Sequence, residues 1–242
     1  MTEANKISVI IPCVDEEENL KELIPYLLKY GGDLLSEIIV VDGGSTDNSI
    51  SLAISLGALV IHSPVRNRAT QLNLGAHHTN GCVFYFVHAD TRPVVEFAKL
   101  ILANISNGKQ VGCFRYRFDT ESRLLKVNSW FTRFNGILSG GGDQSLFIKK
   151  TFFDSLEGFD DSYCIMEDFE LVRRIRQKSD FHVLPQEMTV SDRKYQENSW
   201  VKVQLSNFAA LSLFLLKVKP SRIKSLYLNF LNKRIKSITV VE

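Results

Sequence analysis

Apolar and polar positions along the chain switch between two periods. "KISVIIP" is a short apolar run closed by Pro12 and reads as a strand. "DEEENLKELIPYLLKYGG" instead sets Leu20, Leu23, Ile24, Leu27 and Leu28 at helical spacing. Acids open that segment and Gly31-Gly32 closes it, which suits a helix and its dipole. "SEIIVVDGG" predicts a second strand running into a glycine turn, "STDNSISLAISLG" a helix and "ALVIHS" a third strand. "RATQLNLGAHHT" then predicts a short helix, "CVFYFVHAD" a fourth strand, and "PVVEFAKLILANIS" a helix with Pro93 near its first turn. Four strand–helix alternations imply an α/β fold with a parallel sheet and helices on both faces. Ligands bind such sheets at the carboxyl ends of the strands. Asp15, Asp42, His88 and Asp90 all fall there.

The second half is less regular. "QVGCFRYRFD" alternates like a strand, and "SRLLKVNSWFTRFNGIL" has helical spacing. "SGGGDQSLFIKK" reads as a glycine-rich turn feeding a strand, and "IMEDFELVRRIRQK" as a helix with Glu167 and Asp168 in its first turn. "DFHVLPQEMTVS" predicts two short strands; "SWVKVQLSNFAALSLFLLKV" and "RIKSLYLNFLNKRIKSI" predict two more helices. No internal repeat or low-complexity linker interrupts the pattern.

Composition narrows the class. The 242 residues suffice for one large α/β domain or a domain with an appendage, and 45% hydrophobic with 23% charged is ordinary for a soluble protein. Cys13, Cys82, Cys113 and Cys164 lie far apart, with no CxxC and no His at zinc spacing, so neither a disulfide nor a zinc framework is expected. With no signal-peptide pattern at the N-terminus, the expected location is cytoplasmic. The net charge of +2 hides an asymmetry: residues 193–242 carry ten Lys/Arg and two acids, net +8, against −6 for the remainder. Such a tail suits an anionic partner: a membrane surface, a nucleic acid or an acidic substrate. A nucleic-acid module fits poorly, since no base-stacking aromatics are interleaved on an exposed sheet.

The candidate chemistry begins with two absences. There is neither GxGxxG after the first strand nor GxxxxGK[ST], so bound phosphate would need a divalent metal plus arginine. "VVDGGSTDNS" fits a helix start capped by Ser45 or Thr46, and it equally fits Asp42 accepting hydrogen bonds from a base or ribose. "HADT" fits a polar turn, or one carboxylate of a metal site completed by diphosphate oxygens. In "MEDFELVRRIR" the acids either stabilise a helix N-terminus or supply a general base. Arg66 and Arg68 of "SPVRNRATQLNLGA" either hold a diphosphate or line a solvated turn.

Taken in order, "SVIIPCVDEEENL", "EIIVVDGGSTDNS", "RNRATQLNLGA", "FVHADT", "GGGDQSLF" and "MEDFELVRRI" resemble glycosyltransferase family 2, inverting enzymes with the GT-A nucleotide-diphospho-sugar transferase fold. The likeness spans about residues 6–195. The "RNRATQ-N-GA" and "HADT" variants resemble a bacterial subgroup associated with radical-SAM and selenium-related domains. The resemblance implies a GT-A domain over 1–195, with a mostly parallel central sheet, and a basic C-terminal helical extension over 196–242. It puts Pro12, Asp15 and Glu16 at the nucleoside, with Asp15 replacing the usual Asn. Asp42 falls by the base and ribose, and Gly43 stands where the family has a second Asp. Arg68 approaches the diphosphate. His88-Ala89-Asp90 occupies the metal-binding DxD slot, with His88 in place of the first Asp, so Asp90 is the surviving carboxylate ligand for Mn²⁺ or Mg²⁺. Asp168 resembles the catalytic base, with Glu167 beside it, and Asp143 and Gln144 fall on the acceptor side. The implied donor is a nucleotide-diphospho-sugar, a UDP-sugar first among the candidates.

In the tail, Arg193 and Lys194 match loosely a late segment that touches phosphate or acceptor; a surface loop fits as well. "VQLSNFAALSLFLLKV" falls short of the roughly 20 apolar residues of a membrane span and reads as cover for the domain's own core. The helix around "RIKSLYLNFLNKRIKS" sets Ile223, Leu226, Phe230 and Ile235 among lysines and arginines, a pattern suited to an anionic membrane. It predicts peripheral contact with the inner face of the membrane and a lipid or lipid-linked acceptor. Two alternatives stand beside the transferase. A nucleotidyltransferase usually has a basic glycine-rich signature after the first strand, where "PCVDEEENL" is acidic. A non-catalytic nucleotide-sugar sensor or scaffold is kept open by His88 and opposed by Glu167 and Asp168.

Overall fold

The computed structural model describes residues 6–136, 139–141 and 144–231. Eight strands form one sheet in the order β3-β2-β1-β4-β7-β6-β8-β5. They are β1 (Ile7–Cys13), β2 (Leu35–Asp42), β3 (Leu59–His62), β4 (Val83–Phe86), β5 (Thr91–Arg92), β6 (Val111–Phe118), β7 (Leu146–Lys149) and β8 (His182–Val190). β1 pairs in parallel with β2 and β4, β2 with β3, and β6 with β8, while β7 runs antiparallel between β4 and β6. β4 and β6 therefore point the same way, and their carboxyl ends open on one edge with those of β1 and β2.

The helices cover both faces. β1 sends Val9 and Ile11 to one face and Ile10 to the other, the two-residue alternation of a strand buried on both sides. On the first face lie α1 (Glu17–Gly31), α2 (Ser49–Ser55) and α4 (Phe97–Ser106); on the second lie α3 (Arg68–His77), α6 (Lys150–Ser155) and α7 (Glu167–Lys178). Leu20, Leu23, Ile24 and Leu27 of α1 are wholly buried, at about 1.5–3 kcal/mol each. α5 (Arg123–Phe131) follows β6, and α8 (Arg193–Glu197), α9 (Trp200–Leu215) and α10 (Pro220–Phe230) follow β8.

Several elements differ from the periodicity. "DFHVLPQEMTVS" forms one strand, not two. Its ladder to β6 jumps from Leu184 to Glu187, so Pro185, which has no N–H to donate, sits in a bulge. The fourth strand stops at Phe86, and Thr91-Arg92 leave it to pair antiparallel with β8. α2 begins at Ser49, past Ser45 and Thr46, because those hydroxyls are engaged across the loop with Asp15. α4 begins at Phe97, after Pro93, and α5 ends at Phe131. α6 and α8 were not expected from the pattern, being too short to show a period.

α9 and α10 build a small core of their own. Ala210, Phe214 and Ile223 pack with Tyr163, Ile165, Met166 and Phe169, the segment that enters α7. Among the described residues, no helix is long and apolar enough to cross a membrane.

Candidate active site at the strand ends

Two loops interlock where β1 and β2 end. Asp15 takes a left-handed backbone (φ 54°), a conformation that Asp tolerates better than most residues. Its N–H donates to Ser45 Oγ at 3.0 Å, and its Oδ1 accepts from the N–H and hydroxyl of Thr46 at 2.7 and 3.1 Å. The Thr46 N–H is the main reason why the Asp15 carboxyl lies below its ordinary range. Asp42 is buried; its Oδ2 accepts from Gly44 N–H (3.0 Å) and its Oδ1 from Ser45 N–H (2.9 Å). Glu16 N–H donates to Ser49 Oγ at 2.9 Å, and Glu17 exchanges hydrogen bonds with Asp47 and Asn48. Both candidate nucleoside carboxylates thus hold a loop in shape. Pro12 sits beneath them on β1.

The "RNRATQLNLGA" motif is largely a brace. Asn67 caps α3 through Ala69 N–H (3.0 Å) and donates to Asp161 O (2.8 Å). Buried Gln71 donates from Nε2 to Cys13 O (3.1 Å) and Val41 O (2.7 Å), which ties α3 to the ends of β1 and β2. A Cβ on Gly43 would lie 2.9 Å from both Gln71 Nε2 and Val14 Cγ2. The glycine that replaces the family's second Asp is therefore matched to Gln71. Asn73 clamps the loop before α7 through Phe159 and Asp161. Sequence reading passed over Gln71 and Asn73, since nothing local distinguishes a buried amide brace from a surface one.

Arg68 points elsewhere: its Nη1 lies 3.2 Å from Oε1 of Glu167, whose carboxylate is buried. His88 is half-buried on the strand end. Burial, and then the Arg68 charge, push its pKa down to about 3, so the imidazole is neutral near pH 7. Ala89 is buried between His88 and half-buried Asp90. β5 and β8 then carry α8 back to this edge. Arg193 donates to Glu16 Oε1 at 3.1 Å, and that bond, with smaller contributions from Asp90 and Glu197, raises its pKa. Arg193 thus reaches the strand-end edge, while Lys194 turns away to Asn207 of α9.

α7 starts abruptly. Met166, just before it, is left-handed (φ 66°), a backbone state that non-glycine residues hold only where the surroundings enforce it. Glu167 and Asp168 follow in the first turn, Glu167 buried against Arg68 and Asp168 half-exposed. Arg174 grips Glu170 by Nε and Nη2 and donates to the carbonyls of Leu156 and Gly158, so the helix is fixed to its entry loop. Arg176 binds Asn135 Oδ1, Gly136 O and Ser139 Oγ at 2.7–2.9 Å. Gln144 is buried, with Oε1 on Gly140 N–H at 2.7 Å and Nε2 directed to Phe114 O and Thr132 O. Its amide holds the glycine turn; Asp143 lies outside the described residues.

The strand ends therefore gather Asp15, Glu16, Asp42, Arg68, His88, Asp90, Glu167 and Arg193 around one edge, with Asp168 beside Glu167. Among the described residues, no group of three or more His, Cys, Asp or Glu is placed to hold a metal by itself. The donors fit a hard cation only as a shared site: the Asp90 carboxylate, the neutral His88 imidazole and oxygens brought by a diphosphate.

Residues 8–174 match the family described as "Glycosyl transferase family 2". Among relatives, the chain is 36% identical over 55 residues to the glucosyl-3-phosphoglycerate synthase of Mycolicibacterium smegmatis, 23% of this chain and 18% of that one. It is 31% identical over 94 residues to the synthase of Mycobacterium tuberculosis H37Rv, 35% of this chain and 28% of that one. The matched stretches thus span less than a third of those relatives' length. Among solved structures, the M. tuberculosis synthase with Mn²⁺, uridine diphosphate and glucosyl-3-phosphoglycerate superposes with a TM-score of 0.64 at 16% identity, over 96% of this chain and 82% of that one. S. aureus TarS 1–349 with UDP-GlcNAc superposes at 0.65 and 16%, over 94% and 72%. The fold is the α/β GT-A architecture with a mostly parallel sheet, and the chain belongs to glycosyl transferase family 2.

Proposed function

We propose that the protein is an inverting glycosyltransferase that moves a sugar from a nucleotide-diphospho-sugar, a UDP-sugar first among the candidates, to an acceptor hydroxyl. The observation that carries this reading is the convergence of Asp15, Asp42 and Asp90 at the carboxyl ends of β1, β2 and the β4 extension, with Arg68 paired to Glu167 at the α7 start that also bears Asp168. The synthase complex with Mn²⁺ and uridine diphosphate, and TarS with UDP-GlcNAc, support the donor class.

Asp168 is the general base. It takes the acceptor hydroxyl proton as that oxygen attacks the anomeric carbon, and the bond to the diphosphate oxygen breaks on the opposite face. One displacement inverts the centre and needs no covalent nucleophile. Arg68 and Arg193 offset the charge that develops on the leaving diphosphate. Glu167 positions Arg68. Asp90 and His88 would hold a divalent cation, Mn²⁺ or Mg²⁺, whose contribution when bound is to neutralise the diphosphate. Residues 1–195 form the transferase unit and 196–242 a basic extension beside it. The "HADT" and "RNRATQ" variants support membership of the subgroup associated with radical-SAM and selenium-related domains. The acceptor is lipid-linked, reached by peripheral contact at the inner face of the membrane.

The test is donor hydrolysis and thermal shift across UDP-, GDP- and dTDP-sugars, with and without Mn²⁺ or Mg²⁺. Asp168→Asn is expected to lower turnover about 10²–10⁴-fold while keeping the donor-induced shift. Asp90→Ala is expected to lose the metal-dependent part of that shift. Turnover unchanged in Asp168→Asn would remove the base assignment. Donor binding without turnover under every condition would favour the sensor or scaffold reading.

A further inference from the structure

One surface is left unexplained by the candidate site. α9 buries Val203, Ser206, Ala210 and Phe214 along one face. Its opposite face exposes Val201, Leu205, Phe208, Leu215 and Leu216, with Phe208 71% accessible. A helix apolar all round belongs inside a protein or against lipid. α5 and the turn after it expose Leu124, Val127, Trp130, Phe131 and Phe134. The last three rings form a cluster, with the Trp130 and Phe134 centroids 4.8 Å apart and the Arg133 guanidinium 5.0 Å from the Trp130 ring centre. Tyr195 of α8 joins the two helices: its hydroxyl accepts from Asn128 Nδ2 of α5 and Gln204 Nε2 of α9, each at 3.2 Å.

Exposed apolar surface of this extent marks a docking face, and charge selects the occupant. Residues 122–136 and 198–231 contain no Asp or Glu, and they carry eight Lys/Arg. A second copy of the chain would bring two such cationic faces together. An anionic bilayer neutralises the cations and accepts Trp, Phe and Leu at headgroup depth.

We propose that the α5–α9 face docks on an anionic lipid bilayer, with Trp130, Phe131, Leu205 and Phe208 entering the headgroup boundary. The proposal rests on the membrane contact of the preceding section, and it relocates that contact. Ile223, which the sequence pattern put on a lipid-facing stripe of α10, is buried against Ala210 and Phe214, and Ile235 lies outside the described residues. Among the described residues of that stripe, Leu226 and Phe230 are exposed.

The experiment is co-flotation of the full-length protein with phosphatidylglycerol or phosphatidylcholine vesicles at low and high salt. The donor-induced thermal shift is measured on the same samples. Flotation with phosphatidylglycerol alone, weakened by salt, is expected. Leu205→Ser/Phe208→Ser, and separately Trp130→Ser/Phe131→Ser on the other helix, are each expected to weaken it about tenfold or more with the donor shift unchanged. Wild-type protein that floats with neither lipid would overturn both the membrane contact and this face, leaving the transferase reading to its own assay. Flotation that survives both double variants would overturn this face alone. A wild-type dimer in light scattering that both variants convert to monomer would assign the face to a second copy instead.

Discussion

The two loops that follow β1 and β2 and the edge where β4 meets α7 and α8 use charged side chains in opposite ways. At those loops, Asp15 and Asp42 accept the backbone N–H groups of Gly44, Ser45 and Thr46, and the shape is complete without a ligand. At the edge, Arg68 meets Glu167 and Arg193 meets Glu16, side chain to side chain, between segments 99 and 177 residues apart in sequence. The first region is a cradle that its own carboxylates build. The second is a balance of opposite charges that an incoming diphosphate would shift. The same residue type is scaffold in one place and candidate chemistry in the other, and the partner it faces decides which.

The sharpest way to break this contrast is Asp42→Ala. It leaves the Gly44 and Ser45 N–H groups without their acceptor, and a loss of about 2–3 kcal/mol in urea unfolding is expected. A loss below half a kcal/mol would show that Asp42 is no scaffold. Next in size is Gly43→Asp, which restores the family's second acid. Crowding of Gln71 and Val14 is expected to lower stability by about 1–2 kcal/mol. Combined with Gln71→Ala, the loss should be smaller than the sum of the two single changes; strict additivity would break the proposed match between positions 43 and 71.

The smallest effect concerns His88. Its folded pKa of about 3 lies below the ordinary 6.5, so the unfolded chain takes the proton first. Its contribution is therefore complete above pH 6.5 and declines as pH falls toward 3. The carboxyls of Asp15 and Asp47 are also depressed, and they act only around and below their ordinary range near 3.8. His182 is depressed as well, by burial first, so between pH 6.5 and about 4.5 the decline belongs to the two histidines, and His88→Gln should reduce the slope of the melting temperature across that window more than His182→Gln does. An unchanged slope would mean that the imidazole is not held neutral at the strand end.

Much of this was legible from the chain. The apolar runs and helical spacings placed β1 to β4 and the helices between them, and the motifs put Asp15, Asp42, His88 and Asp90 at strand ends. The errors have physical causes. β5, α6 and α8 are too short to show a period, and Pro185 disguised one bulged strand as two. The pattern of α9 predicts core cover, which one face provides; the other is exposed, and apolar residues stand on both.

The sequence by itself determined the α/β layering, the family and the cluster of carboxylates at the strand ends, because periods of 2 and 3.6 residues and turn chemistry are local. Only the tertiary structure decided what each polar group faces. It put Gln71 under the β1 and β2 ends, Arg68 on Glu167 and Arg193 on Glu16, and it buried Ile223 while leaving Phe208 outside. Those pairings join segments far apart in the chain, and a hydrogen bond or ion pair carries no trace in sequence until folding brings its two ends within about 3 Å.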